Sequence, residues 1–293
     1  VRGPNEYDVY VDDNAYTNTL AARNLRSAAE LPERLAERWP EEGRKLTEHL
    51  GLTPEECAHM REVAAGLLIP YDEAQDLILE DSRYLLRRPM DLRRAKPTGK
   101  RIIDSTLPYE ALPLYQITKQ ADVVLLMSLL PQYYTQAQKE KAYDFYEPRT
   151  AHDSSLSYAP HGWLAARLGR SEEAYRYFEK SALLDVEDRQ LNTISGLHYA
   201  NFGGTRQMVF RGFLGIEGEE KGISVSPQLP EQWTGFVLRL RWRGAVLAVS
   251  LEKGVLRCEA EDMGGHEQIE TVLAGKVFVL TAAAPAAQRE VEA

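Results

Sequence analysis

The chain has 293 residues, a net charge of −9, 44% hydrophobic residues and two cysteines. The acidity argues against nucleic acid or an anionic membrane surface as a partner. No run approaches the roughly 18 apolar residues of a membrane span, and the length suits one large or two medium domains with a substantial core.

Cys57 and Cys258 lie far apart with no metal-ligand spacing, so they read as ordinary thiols of a reducing compartment, and the expected location is cytoplasmic. No metal site is expected. The sequence starts at Val1 with no signal-peptide pattern and no initiator Met, which reads as a fragment or a processed chain.

The first stretch, Gly3-Pro4-Asn5-Glu6-Tyr7-Asp8-Val9-Tyr10, continues to Asp12-Asp13-Asn14-Ala15-Tyr16-Thr17-Asn18. Carboxylates, amides and flat rings are what a sugar site uses, since hydroxyls need paired donors and acceptors and pyranose faces need aromatic planes. The alternative is an acidic helix entry. Asp12 to Trp39 then reads as mostly helical, capped by Asp12 or Asp13. Its expected buried face is Ala21, Leu25, Ala28, Leu31 and Leu35, with Pro32 dividing or kinking it. Thr53-Pro54-Glu55-Glu56 is a helix start, with Met60, Val63, Ala64 and Leu67 as its apolar stripe.

Residues 82–110 read as irregular and basic. Arg87, Arg88, Arg93, Arg94, Lys96, Lys100 and Arg101 cluster there, and Pro89, Pro97 and Pro108 oppose a continuous helix. The expectation is a solvated loop; the other reading is a phosphate-attracting rim. Lys119-Gln120-Ala121-Asp122 then opens the apolar run Val123 to Leu130, a buried helix. Polar residues at such a mouth either meet solvent and backbone or point into a cavity.

In Phe145 to Ser157, nine of thirteen side chains carry a polar group, ahead of a helix from about Ala159 to Leu168. Hydroxyls and free amides at a helix start suit an anion, although one serine could simply cap the helix. Gly169 suits a left-handed helix end and Ser171 a cap for the next helix. This hairpin has no second copy of the roughly 34-residue tetratricopeptide pattern, so a repeat scaffold is rejected. His198 lies between Gly196 and Gly203-Gly204, where backbone can approach a ligand closely. A structural histidine is the other reading.

Beyond Leu214 the period changes to two. Phe236, Leu238, Leu240 and Trp242 alternate with Val237, Arg239, Arg241 and Arg243; Leu247, Val249 and Leu251 follow, then Val277 to Leu280. Glycines punctuate these runs, so an antiparallel sheet, a small sandwich, is expected with a solvated arginine face. The Ala-rich end, Ala282 to Ala293, reads as a frayed tail.

Four of these stretches resemble motifs of glycoside hydrolase family 65, in that family's order. They are the opening Gly-Pro-Asn-Glu-Tyr segment, Lys119-Gln120-Ala121-Asp122, the Tyr146-Glu147-Pro148 to Ser157 loop, and Gly196-Leu197-His198 with Gly203-Gly204-Thr205. Asn5 stands where the family usually has Asp, and Asp8 where many phosphorylases have His beside the acceptor sugar. Arg206 replaces a common aromatic residue.

The resemblance implies a mainly α fold with a β domain: the later part of an (α/α)6 barrel over 1–214, an antiparallel β-sandwich over 215–283 and a tail over 284–293. It implies an inverting disaccharide phosphorylase with Glu6 as general acid and Lys119 and Gln120 on the glucose. Ser154, Ser155 and His198 would hold phosphate, with His152 a weaker candidate. The partners would be a disaccharide and phosphate, the latter a co-substrate with no cofactor beside it, and the family is often dimeric. The alternatives are an inverting hydrolase, for which Glu147 is the candidate base at roughly 6.5–9.5 Å from the acid, and a non-catalytic carbohydrate-binding fragment. Little activity is expected from the isolated chain.

Overall fold

Asn14, rather than Asp12 or Asp13, starts the first helix in the computed structural model, which describes residues 1–95 and 101–291. Its side-chain oxygen accepts the Thr17 N–H at 2.9 Å and the Thr17 hydroxyl at 2.8 Å, satisfying a donor that the helix leaves open. Helix α1 (Ala15–Arg38) runs through Pro32 without being divided. Its buried residues are Ala15, Ala22 and Ala29, seven apart and so on one face; the expected Leu31 is exposed. Small side chains on that face let another helix lie close.

The next two helices are α2 (Pro40–Leu50) and α3 (Pro54–Gly66), both packed on α1. α3 begins as expected, with the Thr53 hydroxyl accepting the Glu56 N–H at 3.2 Å, and it buries Cys57 and Ala64 while Val63 stays exposed. Arg61 fastens it to α1 by donating to the Ala29 carbonyl at 2.9 Å.

A short hairpin, β1 (Tyr71–Asp72) with β2 (Leu77–Ile78), leads into the basic segment. That segment is irregular as expected; among its described residues it holds the short helices α4 (Leu92–Ala95) and α5 (Ile102–Ser105) and two 3-10 turns. It is not uniformly solvated. Arg88, Arg93, Arg94 and Arg101 are exposed, but Arg87 is largely buried between two aspartates. Lys96, Pro97 and Lys100 lie outside the described residues. α6 (Val123–Leu129) is the expected buried helix, its Ser128 hydroxyl bonded back to the Val124 carbonyl at 2.8 Å. α7 (Gln136–Tyr146) follows behind a Thr135–Gln138 capping box. Tyr7, Leu92, Ile102, Leu112, Ile117 and Ala151 form one apolar cluster, so the opening stretch is anchored from within by its own aromatic ring. These elements belong to the first of two units, Val1–Asp153.

The second unit, Ser154–Ala293, begins with α8 (Tyr158–Arg167) and α9 (Ser171–Ala182). Gly169 has the expected positive φ of 73° between them, but Ser171 is the first helical residue and makes no cap. α8 is buried from Ala159 to Ala166, packed on α9 and on α10 (Tyr199–Gln207), which continues into a π-helical turn.

Eight strands follow: β3 (Ile216–Gly218), β4 (Gly222–Val225), β5 (Phe236–Trp242), β6 (Ala245–Glu252), β7 (Val255–Asp262), β8 (Gln268–Leu273), β9 (Lys276–Thr281) and β10 (Ala286–Glu290). They make two four-stranded sheets, in the orders β10-β7-β6-β5 and β3-β4-β8-β9. All pairs are antiparallel except β4 with β8. Leu247, Val249, Leu256 and Cys258 of one sheet share a core with Ile223, Val225, Ile269 and Leu280 of the other, which is the expected sandwich. Its hairpins turn at Arg243-Gly244, Lys253-Gly254 and Ala274-Gly275, with φ positive at both residues of each pair, as tight two-residue turns require.

The expected frayed tail is corrected by β10, which pairs with β7 from Ala286↔Glu259 to Glu290↔Val255. Alanines carry no strong strand preference, but an open sheet edge offered backbone partners. The arginine face is solvated as expected, with Arg239 bound to Glu261 on the surface. Both cysteines are buried free thiols.

Candidate active site

The opening stretch is held almost residue by residue. At Gly3 a Cβ would lie 2.3 Å from Asn14 Nδ2 and 2.8 Å from Asp122 Oδ2, so no side chain fits there. The Pro4 carbonyl accepts Gln120 Nε2 at 2.8 Å. Asn5, buried, is the centre of the arrangement. Its Nδ2 donates to Glu80 Oε1 at 2.6 Å and to the Ile117 carbonyl at 3.1 Å. Its Oδ1 accepts the Tyr7 N–H at 3.1 Å and the Lys119 N–H at 3.0 Å. One amide thus fixes the backbone on the far side of Glu6 and the backbone of Lys119 together.

Glu6 projects from this turn with its side chain 44% exposed, and its Oε2 accepts a hydrogen bond from Lys119 Nζ. The group that meets the Glu6 carboxyl is therefore a cation. Gln120 is near the same turn and buried, with Oε1 lacking a partner among the described residues. Of the expected aromatic platform, Tyr10 is exposed but Tyr7 is buried, its hydroxyl donating to Asp153 Oδ2 at 2.6 Å. Burial, and then the Asp153 hydrogen bond, push that phenol's pKa well up. Tyr7 is an anchor and presents no face to a sugar.

Behind Glu6 lies a set of buried carboxylates that sequence reasoning missed. Glu80 accepts from Asn5 and from the Thr118 hydroxyl at 2.9 Å. Asp122 Oδ2 accepts the Asn5 N–H and Asn14 Nδ2, each at 3.2 Å. Asp81 takes two bonds from Arg87, at 2.8 and 3.1 Å, and Arg87 reaches on to Asp8 at 2.5 Å. Tyr146 pins the segment by donating to the Ile78 carbonyl at 3.0 Å and accepting the Glu80 N–H at 2.9 Å. The signal was available: Glu80-Asp81 directly follows the apolar Leu77-Ile78-Leu79. Two charged residues drawn inside after such a run need partners.

Burial raises the Glu80 pKa well above the usual carboxylate range, and the Asp122 charge adds to it. Burial also raises Asp122, to about 7. An acid whose folded pKa is raised holds a proton that the unfolded chain has released, so its contribution to stability is present at low pH and lost as the pH rises. For Asp122 that window runs from 3.8 to about 7. The urea midpoint of the chain is expected to fall from about pH 5 to about pH 8, with Asp122→Asn flattening the slope. A midpoint that rises over this range contradicts the assignment.

In the second unit Ser154 and Ser155 sit just ahead of α8. The Ser154 hydroxyl accepts the Leu156 N–H at 3.2 Å, and the residue at the cap position, Ser157, makes no side-chain cap, so neither candidate serine is spent on the helix start. His198 occupies the cap position of α10, its ring paired with Asp185. No hydrogen bond joins His198 to either serine among the described residues. Glu147 lies in a 3-10 turn with Arg93 3.9 Å away, and His152 has a positive φ of 52°. The structure thus brings Glu6, Lys119 and Gln120 to one turn and holds Ser154, Ser155 and His198 at the starts of two helices that pack together, α8 and α10. Among the described residues no three His, Cys, Asp or Glu side chains are grouped as metal ligands, and no helix is long and apolar enough to cross a membrane.

Residues 1–207 match the model of the glycosyl hydrolase family 65 central catalytic domain, and residues 217–280 that of the family's C-terminal domain. The chain is 32% identical over 281 residues to kojibiose phosphorylase of Caldanaerobacter subterraneus subsp. tengcongensis, covering 96% of this chain and 36% of that protein. It is 35% identical over 284 residues to alpha,alpha-trehalose phosphorylase of Geobacillus stearothermophilus, with the same two shares, 96% and 36%. The chain therefore spans little more than a third of the length of these relatives. A solved human-microbiome protein, provisionally described as a kojibiose phosphorylase, superposes with a TM-score of 0.84 at 23% identity, over 99% of this chain and 39% of that one. The fold class expected from the motifs, mainly helical of the (α/α)6 type with a C-terminal β domain, is the fold found. By both domain matches, the chain belongs to glycosyl hydrolase family 65.

Proposed function

We propose that this chain supplies the acid and the phosphate-holding residues of an inverting α-glucoside phosphorylase. The observation that carries the reading is the turn at Glu6: a half-exposed carboxyl on a rigid backbone, with Lys119 and Gln120 held beside it. Two curated relatives covering nearly all of this chain, which act on kojibiose and on trehalose by name, support the reaction class.

In this reading Glu6, protonated, gives its proton to the glycosidic oxygen as the bond from that oxygen to the anomeric carbon breaks. A phosphate oxygen attacks the anomeric carbon from the opposite face, so an α-glucoside yields β-glucose 1-phosphate and a free sugar. Phosphate arrives as an anion, so no general base is called for. Lys119 and Gln120 take glucose hydroxyls; Lys119 leaves Glu6 as the sugar enters. Ser154, Ser155 and His198 hold phosphate by hydroxyl and ring N–H donors. The catalytic part is assigned to 1–214 and the β domain to the residues from 215 on. Phosphate is the one co-substrate required, and a homodimer and a cytoplasmic location fit the reading.

The test is a panel of α-linked glucose disaccharides incubated with and without phosphate, on this chain and on any longer polypeptide that carries it. Phosphate-dependent release of β-glucose 1-phosphate is the expected result and names the disaccharide. Equal release of free glucose without phosphate overturns it in favour of a hydrolase and turns attention to Glu147. Binding of a sugar with no turnover by any form leaves a carbohydrate-binding protein.

A further inference from the structure

His198 is held in a way that its assignment to phosphate does not require. Asp185, three residues beyond the end of α9, accepts the backbone N–H of His198 at 2.7 Å through Oδ2 and faces ring atom Nδ1 at 2.5 Å through Oδ1. The carboxylate is 3% exposed and the imidazole 21%. Both oxygens of one buried carboxylate are thus spent on one residue, thirteen positions along the chain. An ionised carboxylate only accepts, so Nδ1 must carry the proton. The ring is then left with Nε2 as its changeable nitrogen: a lone pair when neutral, an N–H donor when charged.

The other neighbour of the ring agrees. Asn192 Nδ2, a donor, lies 3.5 Å from Nε2, at the outer limit of a hydrogen bond, and its side chain is exposed and free to turn aside. The loop that carries it is fixed separately, with Asp188 Oδ1 accepting the N–H groups of Asn192 at 2.9 Å and Thr193 at 3.0 Å. Burial works against the charge of Asp185, but the bonds from His198 outweigh it and hold that carboxyl below its usual range.

We propose that Asp185 is a positioning residue for His198, keeping Nδ1 protonated toward itself and turning Nε2 outward, where the charged ring donates its second N–H to a phosphate oxygen. The inference rests on the phosphate reading of His198. Asp185 touches no substrate; it acts through the ring, as a carboxylate behind a metal-bound or catalytic histidine does.

Asp185→Asn separates this from simple packing. Asparagine keeps the shape but offers one acceptor and one donor. The backbone N–H of His198 cannot change its role, so it takes the oxygen. The new NH2 then faces Nδ1, and the neutral ring must move its proton to Nε2. The experiment is 15N-resolved NMR of the histidine rings of the 293-residue chain, with the His198 signals assigned by their loss in His198→Asn. The wild-type neutral ring is expected as the Nδ1–H tautomer and Asp185→Asn as the Nε2–H tautomer. Titration with inorganic phosphate is expected to shift the wild-type His198 signals. A wild-type ring in the Nε2–H tautomer overturns the proposal without any variant, and so does an unchanged tautomer in Asp185→Asn. A ring that switches tautomer as expected but ignores phosphate in the wild type overturns the phosphate reading instead, and with it the part given to Asp185 in the reaction.

Discussion

Glu6→Gln is expected to lower turnover of an α-glucosidic disaccharide by about 10³-fold if Glu6 is the proposed general acid, the size that follows when such an acid loses its proton. Glutamine keeps the length of the side chain and can still meet Lys119 through its carbonyl oxygen, so the turn stays as it is. Glu6 is exposed enough for the change in stability to stay within about 0.5 kcal/mol. The loss should depend on the leaving group. A sugar alcohol leaves poorly without protonation, whereas fluoride leaves unaided, so α-glucosyl fluoride with phosphate should lose far less. The assay belongs on this chain and on any longer polypeptide that carries it. An equal loss for both substrates would place Glu6 in binding, and no loss for either would remove it from the chemistry.

The second large effect is on stability. Asn5→Ala removes four hydrogen bonds from a buried position and leaves Glu80 Oε1, the Ile117 carbonyl and the N–H groups of Tyr7 and Lys119 without that partner. Stranded buried groups cost about 1–3 kcal/mol each, with partial relief as neighbours relax, so a loss of about 3–5 kcal/mol is expected. That is a large share of the roughly 5–15 kcal/mol by which a domain is stable. Asn5→Asp is the more telling variant. It restores the residue usual in the family but puts a carboxylate oxygen where Nδ2 now lies 2.6 Å from Glu80 Oε1. Two carboxylates at that distance share a proton, and the shared proton is lost as the pH rises. Asn5→Asp should therefore approach wild type near pH 5 and fall behind it steadily toward about pH 8, read as urea midpoints. Equal midpoints at the higher pH would show that the Asn5 amide does not serve Glu80 as a donor.

The Asn5 result bears on why this chain departs from its family at that position. An amide supplies acceptor and donor at once and needs no proton to do so. Here the acceptor side holds the backbone of Tyr7 and Lys119, while the donor side neutralises nothing yet satisfies Glu80. The turn that aims Glu6 is thereby made independent of one shared proton, although Glu80 and Asp122 remain sensitive to pH.

Much of the architecture was written locally. The Thr53 start of α3, the buried run of α6, Gly169 at its left-handed position and the alternation of β5 and β6 all follow from neighbours within a few residues, which is the range of capping, helical period and strand period. The four motif stretches were legible for the same reason, each being contiguous. The tertiary structure decided what depends on residues distant in the chain. Ala22 is buried and Leu25 only partly so on the helix against which α3 packs. Arg87 became a buried ion pair because Asp8, 79 positions away, met it. The Ala-rich end became a strand because β7 left an edge open. Tyr7 turned inward to reach Asp153, and Glu80 was drawn in to partners supplied by Asn5 and Thr118. The sequence by itself determined the turns, caps, periods and motif residues, because those are settled by short-range sterics and hydrogen bonding. Only the fold decided which charges are paired, which are buried and which stay open to a ligand, because burial and pairing are set by groups that the chain brings together from afar.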